Sequence, residues 1–153
     1  MKKHLIATVL SIVSSPLMAA GLINDMQTCQ GFLNFIDTKL NTAPAEYAQQ
    51  DITTVRNGLN AYNHFIQTEI VTPGLLQFNH GDKAKANQMQ KQVDDYKQTL
   101  VNQLQKRYPQ DRLFMDHAIA INNCAKKAVP KGNDLEALKT SLQTMVKLAK
   151  LQP

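Results

Sequence analysis

Residues 22–40 read LINDMQTCQGFLNFIDTKL, and their apolar side chains recur with the period of an α-helix. Apolar residues stand at steps of four, three, four, three and four along this stretch. They are Leu22, Met26, Cys29, Leu33, Ile36 and Leu40. Because side chains at these steps share one face of a helix, the stretch predicts an amphipathic helix that buries one face in a core.

Four further segments repeat this pattern along the chain. The second segment is predicted at Ala48–Ile70, with a stop at Thr72-Pro73-Gly74, and the third at Asp82–Tyr108, with a stop at Pro109. The fourth is predicted at Asp111–Ala128. The fifth is predicted to have Asn133 as its N-cap, with Glu136 completing a capping box. Leu75, Leu76 and Phe78 are expected to form a turn or short helix over one end of the core. Gly58 lies inside the second segment, at a cost of about 1 kcal/mol relative to alanine.

The apolar faces of these segments are as regular as that of the first. They are predicted to consist of Ala48, Ile52, Val55, Leu59, Tyr62, Ile66 and Ile70 in the second segment; Ala86, Met89, Val93, Tyr96, Leu100 and Leu104 in the third; Phe114, Ala118, Ile121, Cys124, Ala125 and Ala128 in the fourth; and Leu135, Leu138, Leu142, Met145 and Ala149 in the fifth. Strand patterns are almost absent. The chain is therefore predicted to be all-α, a four- to five-helix antiparallel bundle.

The first twenty residues have the three parts of a cleavable secretory signal peptide. Lys2 and Lys3 are followed by an apolar run and by small residues at Ala19–Gly21. We expect residues 1–20 to be a signal peptide, residues 21–153 to form a single helical domain, and the protein to reach the periplasm of a Gram-negative bacterium. Removal of the two lysines lowers the net charge from +5 to +3. No later stretch is apolar enough to predict a transmembrane segment.

The chain contains two cysteines, Cys29 and Cys124, and both fall on predicted core-facing helix faces. An even number of cysteines in an oxidising compartment favours a disulfide, and two cysteines allow only one intramolecular pairing. The alternatives are a metal pair and a redox pair, but neither a CxxC motif nor a nearby series of histidines is present. We therefore predict one structural disulfide between the first and fourth helices.

Motifs of catalysis and cofactor binding are missing from the sequence, so no catalytic, cofactor-binding or metal-binding residue is predicted and the protein is not expected to be an enzyme. No two of the histidines His64, His80 and His117 have the spacing of a helical metal pair, and each is expected to lie at the surface or at a core boundary. One alternative is haem ligation, because the run Asn24-Asp25-Met26-Gln27-Thr28 looks like the start of bundle cytochromes. The last helix, however, lacks the matching histidine.

The charged residues favour a solvated surface over a catalytic one. Asp94 and Asp95 are adjacent on a predicted helix, so they point in different directions and do not form an acid–base pair. Six lysines give the carboxy-terminal part a positive bias: Lys126, Lys127, Lys131, Lys139, Lys147 and Lys150. A role in solubility is favoured, with an acidic protein or a lipid head group as the alternative. Nucleic acid is not expected as a partner, because aromatic residues are not interleaved with these lysines.

The run Thr28-Cys29-Gln30-Gly31-Phe32-Leu33 resembles the Thr-Cys-x-x-Phe-Leu segment of the periplasmic acid-stress chaperones of the HdeA type. The late Cys124, followed by a lysine-bearing last helix, also resembles that family. The resemblance implies a disulfide inside a helical domain that loosens at low pH and holds unfolding client proteins on its apolar faces. The two cysteines lie farther apart in this chain, as if a helical hairpin were inserted.

The functional prediction is a non-enzymatic periplasmic protein that binds another protein. The leading hypothesis is an HdeA-like stress chaperone, whose partner is an unfolded client. One alternative is an immunity protein that neutralises a toxin delivered to the periplasm, because such proteins are also small, helical and exported. The other alternative, from a different class, is a haem or metal carrier of the bundle-cytochrome type.

Overall fold

The helices predicted from the sequence are present in a computed structural model that describes residues 16–151. These residues form five continuous helical segments, and none of them lies in a strand. The elements are α1 (Pro16–Asn41), α2 (Gln49–Phe65), a π-helical segment (Ile66–Val71), α3 (Thr72–Phe78), α4 (Lys83–Arg107), α5 (Met115–Lys127) and α6 (Gly132–Ala149). The all-α prediction is confirmed. Most of the predicted signal peptide, residues 1–15, lies outside the described residues, and no described helix has the length and apolarity to cross a membrane.

The second helix does not stop at Thr72-Pro73-Gly74, which corrects the prediction. It continues through the π segment into α3, and the Thr72 N–H bonds to the carbonyl of Gln67, five residues earlier. A proline inside a regular helix removes one hydrogen bond and clashes with the preceding turn. Here Pro73 falls in the first turn of α3, directly after the wider π turn, where its missing N–H costs little.

The π segment also moves the buried face of this helix by one residue. A π turn contains one residue more than an α turn. The predicted face is buried from Ile52 to Ile66, whereas Ala48, at its start, is exposed. Beyond Ile66, Val71 is fully buried where Ile70 was expected, and Leu75 is buried one turn later. Phe78 is exposed and does not cover the core.

The core forms around α1, which packs against α2, the π segment, α3, α4 and α5. α6 packs against α2 and α5. The predicted face of α1 is buried from Met26 to Leu40, whereas Leu22 is exposed and its neighbour Ile23 is buried in its place. Helical periodicity therefore predicted the apolar core positions of α1 except at Leu22.

Two other faces differ from the prediction by one residue at single positions, although the core does contain these predicted members of them: Ala86, Leu104, Ala118, Ile121, Cys124 and Ala128. On α4, Tyr96 is exposed and the adjacent Lys97 is buried. At the start of the fourth segment, Leu113 is buried, whereas Phe114 is only partly so and is the N-cap of α5. A prediction from apolar side chains alone was wrong at these positions, because buried polar groups and residues between the helices also lie in the core.

The last helix begins earlier than predicted and buries a different set of residues. Gly132 has a φ of 57°, which favours glycine, and α6 starts there with Lys131 as N-cap. The predicted capping box at Asn133 is therefore wrong. Leu138 and Met145 are buried as predicted, but the core also takes Ser141 and Leu148, while Leu135, Leu142 and Ala149 are only partly buried.

Gly58 lies where α2 and α6 approach most closely. A Cβ atom at this position would stand 2.0 Å from the Ser141 hydroxyl and 2.3 Å from the Ala137 carbonyl oxygen. The Ser141 hydroxyl, fully buried, lies 3.0 Å from the carbonyl oxygen of Thr54 and 3.2 Å from that of Val55, and it can donate to either. The glycine is therefore required by the contact between two backbones.

Gly58→Ala is expected to lower the free energy of unfolding by about 2 kcal/mol, although alanine favours a helix by about 1 kcal/mol. The added methyl group meets the α6 backbone, which cannot move without separating the helices. Urea unfolding at pH 7 measures the change. Gly31→Ala is the matched control, because the atoms nearest to its methyl group belong to the flexible Leu100 side chain and not to a backbone. A Gly58→Ala variant as stable as the original protein would contradict the close approach of α2 and α6.

A closed ring of polar side chains joins α1, the π segment and α4. The Gln30 amide donates to Gln67 at 3.0 Å, Gln67 donates to Gln90 at 3.0 Å, and Gln90 donates to Asp94 at 3.0 Å. Asp94 pairs with Lys97 at 2.7 Å, and the Lys97 ammonium lies 3.4 Å from the Gln30 carbonyl oxygen. Gln30 and Lys97 are buried, so this ring places polar side chains inside the protein.

Candidate functional site

The predicted disulfide is present. Cys29 of α1 and Cys124 of α5 are bonded, with their Cα atoms 5.8 Å apart and a sequence separation of 95. Both residues are buried. The bond therefore fixes α5 against α1 at one point inside the core, and it ties the amino-terminal helix to the carboxy-terminal part of the protein.

A second contact between α1 and α5 centres on His117, and here the sequence prediction of a surface or boundary position is wrong. The imidazole is 1% exposed. It packs edge-on against the rings of Phe35, Tyr108 and Phe114, at centroid distances of 5.2, 4.7 and 5.5 Å and interplanar angles of 90°, 81° and 89°. We call these four residues together with Lys39 the His117 site.

The hydrogen bonds of His117 define which ring nitrogen carries the proton. The Phe114 N–H donates to Nδ1 of His117 at 3.2 Å, and the His117 N–H donates to the Phe114 carbonyl at 3.0 Å. Since Nδ1 accepts, the proton of the neutral ring is assigned to Nε2. Nε2 is buried and has no hydrogen-bond partner among the described residues. The neutral imidazole thus acts as the side-chain cap of the first turn of α5.

Cationic and acidic groups surround this site. The buried Lys39 ammonium donates to the carbonyls of Tyr108 and Gln110, and it lies 4.0 Å from Asp111 and 5.6 Å from the centre of the Phe35 ring. Asp116 precedes His117 on α5. Arg112 lies 5.8 Å from the centre of the Phe114 ring. The buried positive charge near the His117 imidazole is therefore that of Lys39, which belongs to α1.

The pKa of His117 is lowered from its usual 6.5 to about 4, chiefly by burial and to a smaller extent by the Lys39 charge, while the Asp116 charge opposes the shift. The imidazole is therefore uncharged in the folded protein at neutral pH. A second proton would have to enter at Nδ1, where it would displace the Phe114 N–H and end the side-chain cap of α5. It would also place an unpaired cation in the core near Lys39.

The remaining predicted positions do not come together with this site. His64 and His80 are exposed, and His80 lies in a turn with a φ of 53°. Met26 is fully buried on α1, nine residues before Phe35, which corresponds to about 14 Å along the helix axis. Met26 and His117 are therefore not placed as two ligands of one haem iron. Within residues 16–151, no three histidine, cysteine or acidic side chains are grouped as a metal site.

No family model matches this chain, and no curated protein or solved structure is significantly similar to it. A functional assignment therefore depends on the residues themselves.

Proposed function

We propose that this protein is a non-enzymatic protein-binding protein of the periplasm, whose fold loosens in acid and then holds unfolding client proteins. The proposal follows the resemblance to HdeA-type chaperones at Thr28–Leu33 and assumes an antiparallel arrangement of the helical bundle. The His117 site is the observation that carries it, because a buried neutral imidazole makes the folded state sensitive to acid.

Protonation of His117 weakens the attachment of α5 to α1. The proton removes the cap of α5 at Phe114 and introduces a second positive charge near Lys39. Loss of this contact exposes the apolar rings of Phe35 and Phe114 and loosens the hairpin formed by α5 and α6. Such newly exposed apolar surface is what an unfolding client binds.

The disulfide limits how far this opening proceeds. Cys124 stays joined to Cys29 when the His117 contact is lost, so α5 remains tethered to α1. A tethered segment explores fewer conformations than a free one, which favours recovery of the original fold when the pH rises. The net positive charge of the chain grows as its carboxylates are protonated, and this repulsion favours solubility of the loosened state.

The purified oxidised protein is expected to suppress aggregation of an acid-unfolded client at pH 2–3 and to leave aggregation unchanged at pH 7. Light scattering of the client measures the effect, and binding of a hydrophobic dye reports the exposed apolar surface. The disulfide-free variant Cys29→Ala/Cys124→Ala is the control for tethering. If the protein neither suppresses aggregation nor binds the dye at pH 2–3, the chaperone proposal is wrong.

A second candidate is an immunity protein that neutralises a toxin. It is favoured by an apolar groove between α5 and α6 that is already open in the folded protein, with Met115 and Ile119 exposed along it. Binding through such a groove needs no acid. This hypothesis predicts that the protein protects cells at pH 7 against a toxin encoded beside its gene; lack of protection, together with acid-dependent client binding, would exclude it.

A further inference from the structure

The groove between α5 and α6 has an apolar floor and amide edges. Its volume is about 390 Å³, and its lining includes Met115, Ala118, Ile119, Leu142 and Val146. Met115 and Ile119 are 38% and 51% exposed and lie one turn apart on α5, so both present apolar surface along the groove.

At helical spacing, one lysine follows the groove-lining residues of α5 and another follows those of α6. Lys126 is one helical turn beyond Asn122, which lines the groove, and Lys150 is one turn beyond Val146. Among the described residues neither lysine forms an ion pair, whereas Lys139, also on α6, pairs with Glu136 at 2.8 Å. Residues 115–150 contain six lysines and three acidic residues.

We propose that the α5–α6 groove binds an amphipathic helix of a partner protein that carries acidic residues on either side of its apolar face. The apolar side of such a helix covers Met115 and Ile119, and its carboxylates face Lys126 and Lys150. Charge complementarity selects an acidic partner over a basic one. The inference rests on the proposed function in one respect: it assumes that this protein binds another protein.

The test uses two labelled peptides in fluorescence anisotropy with the full mature protein at pH 7. Both place leucines at helical spacing, but one has glutamates beside the leucines and the other has lysines. The acidic peptide is expected to bind, more weakly as salt rises, and the basic peptide is not. Ile119→Ser is expected to weaken binding about tenfold, because the peptide no longer covers that apolar side chain.

The matched controls lie outside the groove. Val129→Ser removes an equally exposed apolar side chain and should leave binding unchanged. Lys126→Gln/Lys150→Gln should weaken binding and reduce its dependence on salt, whereas Lys83→Gln/Lys91→Gln, with the same net charge, should not. Thermal melts followed by circular dichroism check that every variant is folded.

Equal binding of both peptides, or binding unaffected by Ile119→Ser, would overturn the proposal. So would a dimer that Ile119→Ser dissociates, or attachment to anionic vesicles in place of the acidic peptide. Failure here is distinguishable from failure of the chaperone proposal: peptide binding should weaken in acid as the glutamates are protonated, whereas client binding should appear there.

Discussion

Loss of the disulfide is expected to lower the free energy of unfolding by about 4–5 kcal/mol, since the bond closes a loop with a sequence separation of 95. The physical reason is that an unbridged unfolded chain gains conformational freedom, while both sulfur atoms also leave a packed core. Urea unfolding of Cys29→Ala/Cys124→Ala against the oxidised protein at pH 7 measures this loss. A typical domain has only about 5–15 kcal/mol in total, so the variant should be close to unfolding.

Chemical reduction of the unmodified protein is the control for this experiment. It breaks the bond without removing the side chains, so the difference between the reduced protein and the double variant isolates the packing of the two sulfur atoms. The single variant Cys29→Ala should resemble the double one, because either removes the bond. A loss below about 1 kcal/mol in all three would contradict the role given to this bond.

The His117 site is expected to make stability depend steeply on pH. The unfolded chain binds a proton below pH 6.5, whereas the folded protein does so only below about pH 4. Stability is therefore fully present above pH 6.5 and declines as the pH falls to 4, by about 3 kcal/mol in total from this group. His117→Phe, which cannot titrate, should lose this part of the pH dependence. Urea unfolding at a series of pH values measures both proteins.

Two further variants keep this prediction testable. His117→Asn retains an acceptor for the Phe114 N–H without a titratable ring, so it should lose the same part of the pH dependence even if the phenyl ring of His117→Phe packs poorly. His64→Gln, which changes an exposed histidine on α2, is the control for removing a histidine away from the His117 site. Parallel profiles for the original protein and both His117 variants would assign the acid sensitivity to carboxylates instead.

Helical periodicity was sufficient to predict the helical class and most helix limits, and the even cysteine count together with an expected oxidising compartment predicted the disulfide. The first stretch, residues 22–40, has an unbroken series of apolar residues at helical steps, which was enough to predict a helix although Gln27, Gln30 and Lys39 are buried there as well. The prediction failed where the register changes inside a continuous helix, as at Ile70 and Val71, because a π turn leaves no mark in an apolar pattern. It failed again at Tyr96 and Lys97. A lysine is buried only when it has polar partners, here Asp94 and Gln30. Gln30 is far from Lys97 in the sequence, and nothing in the sequence marks the nearby Asp94 as its partner.

The candidate site could not be predicted for a similar reason. His117 is buried because Phe35 on α1 and Tyr108 before α5 converge on it, and one of these is far away in sequence. The local signal was present, because Phe114 and His117 are spaced as N-cap and third helical residue. Histidine is rarely considered as a cap, however, and a lone histidine beside an apolar face gives no evidence of its depth.

The central claim is that acid acts on this fold through a buried, neutral His117. The most direct measurement is a pH titration of the histidine side chains of the oxidised protein by nuclear magnetic resonance, with His117→Asn to assign the signal. We predict that His117 titrates near pH 4, together with loss of the tertiary contacts of α5. Titration of His117 near pH 6.5 with no change in the signals of α5 would contradict the account.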